Sequence, residues 1–344
     1  MSYYTISSHS IPEKYIFHEG KEKIWLGGTN YLSIGSHPLF QEKLGEGIKK
    51  FPQNWGSSRK NNVQLEVFEQ IENQLADKFP EKGIALCSSG MAAAQTALYF
   101  IQKNHPQIAI NLAPFTHPAL WTASSIRNTG KYNDWVNKLD DAEKQCICSD
   151  GIGAPYVQEF DLSWTNKTGE DTFIVIDESH RIGLLDINLK TKSQLIQTAS
   201  LSKAYGIPAG IIIGSKNWIN ELKNDPFWVG SSPPNPAFIY ACLHAEEAYE
   251  DRKSQLNTRL NWMEKIYPIE ENQGIQRVKS YPGFSSYSKN LFDSLNAKGF
   301  LVNQFAYPNI TDPAICKGII HPLLSNEELE KIAECFIQLN VNVC

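Results

Sequence analysis

The chain has 344 residues, 42% hydrophobic and 20% charged, enough to bury a core over two domains or one large α/β domain with an appendage. A formal net charge of −5 argues against a nucleic-acid or anionic-membrane surface as partner. No apolar run nears membrane-span length, the opening Met1-Ser2-Tyr3-Tyr4-Thr5 lacks a signal pattern, and seven scattered cysteines lack zinc spacing, so a cytoplasmic protein without a metal is expected.

Residues 1 to about 25 mix aromatic and charged side chains without a period and are expected to form an arm. Gly27-Gly28 opens a turn that leads into a short strand before Ile34. Leu39, Leu44 and Ile48 have helical spacing up to Phe51-Pro52, and Leu65, Phe68, Ile71, Leu75 and Phe79 mark an amphipathic helix. From residue 84 onward, strands and helices alternate. Strands are predicted over 84–87, 108–112, 145–148, 173–176, 196–201 and 210–213, with helices over 91–102 and 118–128.

Several of these strands are continuous apolar runs, as expected when both faces of a sheet are covered. The fold class is therefore α/β with a mostly parallel sheet. One long helix is predicted over 237–267, and the remainder reads as a smaller α+β region with helices at 285–297 and 326–339. The expected domains are an N-terminal arm over 1–48 packing on the small domain, a large α/β domain over 49–238, and a C-terminal α+β domain over 239–344.

Four features fall at strand ends or turns, where open α/β sheets place ligands. Ser88-Ser89-Gly90 opens a helix and offers hydroxyls and backbone N–H groups to an anion. His117 follows a strand in a loop. Asp177 ends an apolar strand, where an ionised carboxylate needs a cation or hydrogen bonds, and His180 lies three residues on. Lys203 sits between two buried runs, where an amine can lose its proton and form a Schiff base with a carbonyl cofactor. Each feature alone has an ordinary structural explanation: an N-cap, a surface histidine, a capping carboxylate, a strand-end lysine. Asp177-Glu178-Ser179-His180 also invites a helicase-type reading, but no G-x-x-x-x-G-K-[ST] loop accompanies it. Together the four are the parts needed to hold pyridoxal 5'-phosphate (PLP).

The chain resembles the fold-type I PLP enzymes, and within them the α-oxoamine synthase family, from about residue 27 to residue 335. Asn30-Tyr31-Leu32 with His37-Pro38, Gly56-Ser57-Ser58-Arg59, Ser89-Gly90-Met91-Ala92-Ala93 and Thr116-His117-Pro118-Ala119 match family motifs in order. So do Tyr132-Asn133-Asp134, Asp150-Gly151 with Ala154-Pro155, Asp177-Glu178-Ser179-His180-Arg181-Ile182-Gly183 and Ser200-Leu201-Ser202-Lys203-Ala204-Tyr205-Gly206.

The resemblance implies that Lys203 forms the Schiff base and moves protons at the substrate α-carbon. It implies that Asp177 pairs with the pyridine nitrogen, His180 bonds the ring hydroxyl and His117 stacks on the ring. Ser89, Gly90, Met91 and Ser200 would hold the phosphate, with Asp150 and Ser202 also in the cofactor set. A partner subunit of a homodimer would add Ser231 or Ser232. Thr29, Asn30, Arg59 and Lys317 are the implied substrate contacts. Lys317 stands where the family has an arginine, and Thr29 where it has an asparagine. Lysine offers a point charge in place of a two-point fork. The implied activity is acyl transfer from an acyl-CoA or other acyl thioester to an amino acid. The alternatives are an aminotransferase on the same scaffold and, third, a PLP-fold subunit without catalysis.

Overall fold

Runs of isoleucine, valine and leucine build the middle of the central sheet, where the strands bury both of their faces. The computed structural model describes residues 6–139, 144–269, 274–307 and 311–341. It divides into two compact units, one of Met1–His37, Ala154–Gln158 and Glu247–Cys344, the other of Pro38–Gly153 and Glu159–Glu246.

The elements begin with β1 (Tyr15–His18), β2 (Lys21–Trp25), α1 (Pro38–Lys50), α2 (Glu66–Ala76), β3 (Lys82–Cys87), α3 (Gly90–Asn104), β4 (Ala109–Leu112), β5 (Ile126–Arg127) and α4 (Tyr132–Val136). There follow β6 (Gln145–Asp150), β7 (Ile152–Gly153), β8 (Gln158–Glu159), β9 (Phe173–Asp177), β10 (Gln194–Ser200), β11 (Gly210–Ser215), α5 (Lys216–Leu222), α6 (Pro226–Gly230) and α7 (Pro236–His244). The last are α8 (Glu246–Ile266), β12 (Gln276–Arg277), β13 (Gly283–Ser286), α9 (Lys289–Ala297), β14 (Phe300–Leu301), β15 (Asn303–Ala306), β16 (Ala314–Ile319) and α10 (Asn326–Val341).

In the larger unit the sheet runs β3-β11-β10-β9-β6-β4-β5. The pairs from β10 through β9, β6 and β4 to β5 are parallel, whereas β11 is antiparallel to both β10 and β3. The connection over residues 201–209 is too short for a crossover, so the chain must return antiparallel. Alternation sorts the strands' side chains by face. Cys146, Cys148, Val175 and Ile196 pack with Leu98 and Ile101 of α3, and Ile147, Ile174, Ile176 and Leu195 pack with Trp135 and Trp164.

In the smaller unit one sheet is β1-β2-β14 and another is β12-β13-β16-β15. Phe284 and Tyr267 meet Phe336 of α10 edge-on at 5.1 and 5.4 Å. No helix among the described residues is long and apolar enough to cross a membrane.

Four expected elements differ. The expected arm contains the β1–β2 hairpin, and β14 pairs with β2. The strand expected before Ile34 does not form: Ser33 is left-handed (φ 45°) and a 3-10 turn covers Ile34–Ser36. Tyr31 and Leu32 are buried there nonetheless, and the Tyr31 hydroxyl lies 2.5 Å from that of Tyr281.

Residues 118–128 form a 3-10 turn (Pro118–Leu120) and then β5 instead of a helix. The Gln95 amide donates to the Ala119 and Trp121 carbonyls, acceptors that a continuing helix would have satisfied internally. The helix expected over 237–267 is broken at Ala245 (φ −117°, ψ 32°) into α7 and α8, at the division between the units.

The larger unit begins at Pro38, because α1 lies on α7. A Cβ on Gly47 would fall 2.5 Å from the Ala237 carbonyl oxygen. Gly47→Ala is therefore expected to destabilise the protein by roughly 1–3 kcal/mol, the usual penalty of overpacking. Urea unfolding measures it, and an unchanged midpoint would contradict this packing.

Candidate active site

The larger unit's candidate side chains Asp150, Asp177 and Ser200 lie where β6, β9 and β10 end. These strands are parallel, so their carboxyl ends share one edge of the sheet. Asp150 and Asp177 are the last residues of β6 and β9 and stand in register. Asp177 is also in register with Thr198, two residues before Ser200 at the end of β10.

On the other side of β10, the first turn of α3 comes close to Ser200. A Cβ on Gly90 would sit 2.6 Å from the Ser200 Cβ, and one on Gly210 would strike the Ser89 carbonyl oxygen. Only glycine allows both approaches. Ser89 caps α3, its hydroxyl accepting from the Ala92 N–H at 3.1 Å, so the helix N-terminus is ordered beside the hydroxyls of Ser200 and Ser202, which lie 2.8 Å apart. Met91 is exposed on the same turn.

The carboxyl pair is nearly sealed from solvent, Asp150 being 3% and Asp177 8% exposed. Asp150 accepts the His117 N–H on Oδ2 at 3.0 Å, while its buried Oδ1 has no partner among the described residues. Asp177 accepts the Ser179 N–H on Oδ1 at 2.8 Å. Burial first, then the charge of Asp177, pushes the Asp150 carboxyl well above the usual carboxylate range. Burial pulls the Lys203 amine below its ordinary value, although Asp177 and Asp150 both oppose the shift.

His117 begins the Pro118–Leu120 turn, and its Nδ1 accepts the Ala119 N–H at 3.1 Å. That bond fixes the ring and leaves the residue exposed. His180 is half-buried in the turn after β9.

Several contributors carry no expectation from sequence. The Ser179 hydroxyl accepts the Ser200 N–H at 2.8 Å and so ties the end of β9 to that of β10. Thr198 Oγ1 is buried without a partner among the described residues. Glu178 is fully buried between the Gln197 amide (2.9 Å) and Arg181 (3.4 Å), and burial pushes its carboxyl up to about 7. Its sequence signals are its place directly after a strand-end aspartate and the Asp177–Gly183 motif that contains it.

Arg59 lies across the Trp228 ring at 4.2 Å and donates to the carbonyls of Ser231 (3.1 Å) and Ser232 (3.2 Å). Trp228 in turn donates to the Leu86 carbonyl of β3. Thr29, Asn30 and Lys317 belong to the smaller unit. Asn30 donates to Glu13 at 3.2 Å, and Lys317 is buried in β16, in register with Ser285 and Asn303.

The larger unit's residues fit a phosphorylated aldehyde cofactor. A capped helix N-terminus freed of side-chain bulk by two glycines suits a phosphate, with Ser200 and Ser202 hydroxyls at hand. A desolvated amine suits an aldehyde, and a strand-end carboxylate suits a pyridine nitrogen. The buried, unpartnered oxygens of Asp150 and Thr198 mark polar capacity at the same strand ends.

The chain belongs to the class I and II aminotransferase family, whose model matches residues 164–335. It is a PLP-dependent transferase of fold type I, of the α-oxoamine synthase type. Among curated relatives, 8-amino-7-oxononanoate synthase of Bacillus pumilus (strain SAFR-032) is 27% identical over 341 residues, covering 90% of this chain and 86% of that protein. Serine palmitoyltransferase of Bacteriovorax stolpii is 23% identical over 270 residues, 71% of this chain and 64% of that protein. Among solved structures, serine palmitoyltransferase of Sphingomonas wittichii has the same fold, with a TM-score of 0.76 at 14% identity over 96% of this chain and 90% of that one. 8-Amino-7-oxononanoate synthase of Francisella tularensis matches with a TM-score of 0.70 at 16% identity, over 93% and 98%.

Gly90→Ala is expected to weaken PLP retention about tenfold or more, equivalent to about 1.4 kcal/mol, because the turn must move off Ser200. Absorbance titration of the cofactor-free protein reads this, and unchanged affinity would remove the phosphate from this turn.

Proposed function

We propose that the protein joins an amino acid to an acyl thioester with loss of CO₂. The observation that carries this reading is the grouping of Lys203, Asp177 and Asp150 at the strand ends beside the α3 turn, in a chain whose curated relatives include 8-amino-7-oxononanoate synthases and a serine palmitoyltransferase.

PLP, when bound, supplies an electron sink for negative charge at the substrate α-carbon. Lys203 Nζ, its amine pulled down by burial, is the proposed group that would hold the cofactor's aldehyde end and move the proton at the substrate α-carbon. Asp177, its plane set by the Ser179 N–H, is proposed to hold the proton on the pyridine nitrogen. His117, with Nδ1 fixed by the Ala119 N–H, is proposed to cover the ring, and His180 to bond its hydroxyl. Backbone N–H groups of Gly90 and Met91 with the hydroxyls of Ser89, Ser200 and Ser202 are the proposed phosphate partners.

Arg59 is proposed to act through the loop it grips, holding Ser231 and Ser232 for a partner subunit of a homodimer. Thr29, Asn30 and Lys317 remain proposed substrate contacts on the resemblance alone. A cytoplasmic location accompanies this reading.

The assay is release of free thiol from an acyl-CoA in the presence of an amino acid, set against conversion of PLP to pyridoxamine phosphate by an amino donor alone. Thiol release is expected. Rapid pyridoxamine formation with no thiol from any acyl donor would replace acyl transfer with transamination.

In the same assay Asp177→Asn should retain PLP and lose on the order of a hundredfold or more in turnover, because an amide lacks the charge that keeps the ring nitrogen protonated. Turnover at the wild-type rate would remove Asp177 from this role.

A further inference from the structure

The turn after β9 replaces a rung of the sheet with a side chain. Asp177 and Thr198 stand in register, and the Glu178 N–H donates to the Thr198 carbonyl at 2.7 Å, as a parallel ladder requires. The next rung of that ladder would run from the Ser200 N–H to the Glu178 carbonyl. The chain turns first, and that carbonyl accepts the N–H groups of Arg181 and Ile182, each at 2.8 Å. The Ser200 N–H is met instead by the Ser179 hydroxyl oxygen, at 2.8 Å.

Ser179 makes a second bond, in the other direction. Its own N–H donates to Asp177 Oδ1 at 2.8 Å. The residue is 6% exposed, so both bonds lie where water competes poorly for them.

The two bonds lead to different parts of the site. Asp177 carries the carboxylate proposed for the pyridine nitrogen. Ser200 stands against the first turn of α3, where a Cβ on Gly90 would fall 2.6 Å from the Ser200 Cβ and 2.9 Å from its backbone nitrogen. The Ser200 and Ser202 hydroxyls, 2.8 Å apart, are proposed for the phosphate. One residue thus joins the carboxylate to the edge that faces the phosphate.

We propose that Ser179 is a positioning residue that fixes the offset between the Asp177 carboxylate and the α3 turn. It acts through Asp177 and Ser200, and it matches the site to a rigid ligand with a pyridine at one end and a phosphate at the other. The inference rests on the proposed placement of PLP, and not on acyl transfer. A rigid ligand gains from seating both ends at once only where the two subsites keep the spacing of its covalent frame. Ser179→Ala keeps the backbone N–H for Asp177 and removes the acceptor of the Ser200 N–H, leaving a buried donor unpaired. Each subsite is retained, and their offset is released.

The test uses the full chain freed of cofactor. Affinities for PLP, for pyridoxal and for inorganic phosphate are measured separately by absorbance titration and calorimetry. In Ser179→Ala the PLP affinity should fall about tenfold or more, while those for pyridoxal and phosphate stay within about twofold of the wild type. Hydrogen exchange at the Ser200 amide should be slow in the wild type and faster in the variant. Unchanged PLP affinity would overturn the proposal. Equal losses for all three ligands would also overturn it, since they mark a general defect in the fold. Fast exchange at Ser200 in the wild type would remove the tie itself, and that measurement needs no variant. Gly90→Ala separates this inference from the placement it rests on. If Gly90→Ala leaves PLP affinity unchanged, the placement fails. If Gly90→Ala weakens PLP and Ser179→Ala does not, the role of Ser179 alone fails.

Discussion

The first turn of α3 lies against the end of β10 with no side chain between them, and the arrangement of the site depends on that approach. Gly90 faces Ser200 and Gly210 faces Ser89, each where a methyl group would collide with its neighbour. The approach brings an ordered helix N-terminus to the edge where β6, β9 and β10 end. Strand polarity does the rest. Parallel neighbours put the last residue of each strand at the same edge, so Asp150, Asp177 and Ser200 become neighbours although they are far apart in sequence. The antiparallel return of β11 closes the arrangement, because it carries Gly210 back to Ser89.

Charge is the second constraint. Three acids, Asp150, Asp177 and Glu178, are buried within a short stretch of the sheet edge. The Gln197 amide donates to Glu178 Oε1 and Arg181 pairs with Oε2 at 3.4 Å, and a side chain at Gly151 would collide with both Arg181 and Glu178. Lys203 then faces the two aspartates from a desolvated position. Its amine is lowered because burial outweighs the attraction of both acids. A poised amine and a carboxyl raised well above its usual range thus arise from one cause, the removal of water from a crowded strand end.

Much of this was legible in the sequence. Apolar runs located β6, β9, β10 and β11, and the punctuation by Ser88-Ser89-Gly90 and by Lys203-Ala204-Tyr205-Gly206 located the turns that carry the candidate residues. Periodicity could not show where side chains compete with backbone. Gln95 removes the acceptors that a helix after Pro118 would have needed. Ala245 breaks α7 from α8 without proline or glycine to signal it. Nor could spacing show that Arg59 grips the 231–232 loop from a stack on Trp228, since that contact joins residues more than 160 apart. The pairing of Asp150 with Asp177 was hidden for the same reason, because register between distant strands is a property of the sheet.

The account stands on Lys203 as the amine that bonds the cofactor. Borohydride reduction of the PLP-loaded protein, followed by peptide mapping, tests it most directly. A pyridoxyl group on Lys203 alone is the predicted result. Label on a different lysine, or none after full reconstitution with PLP, would contradict the account.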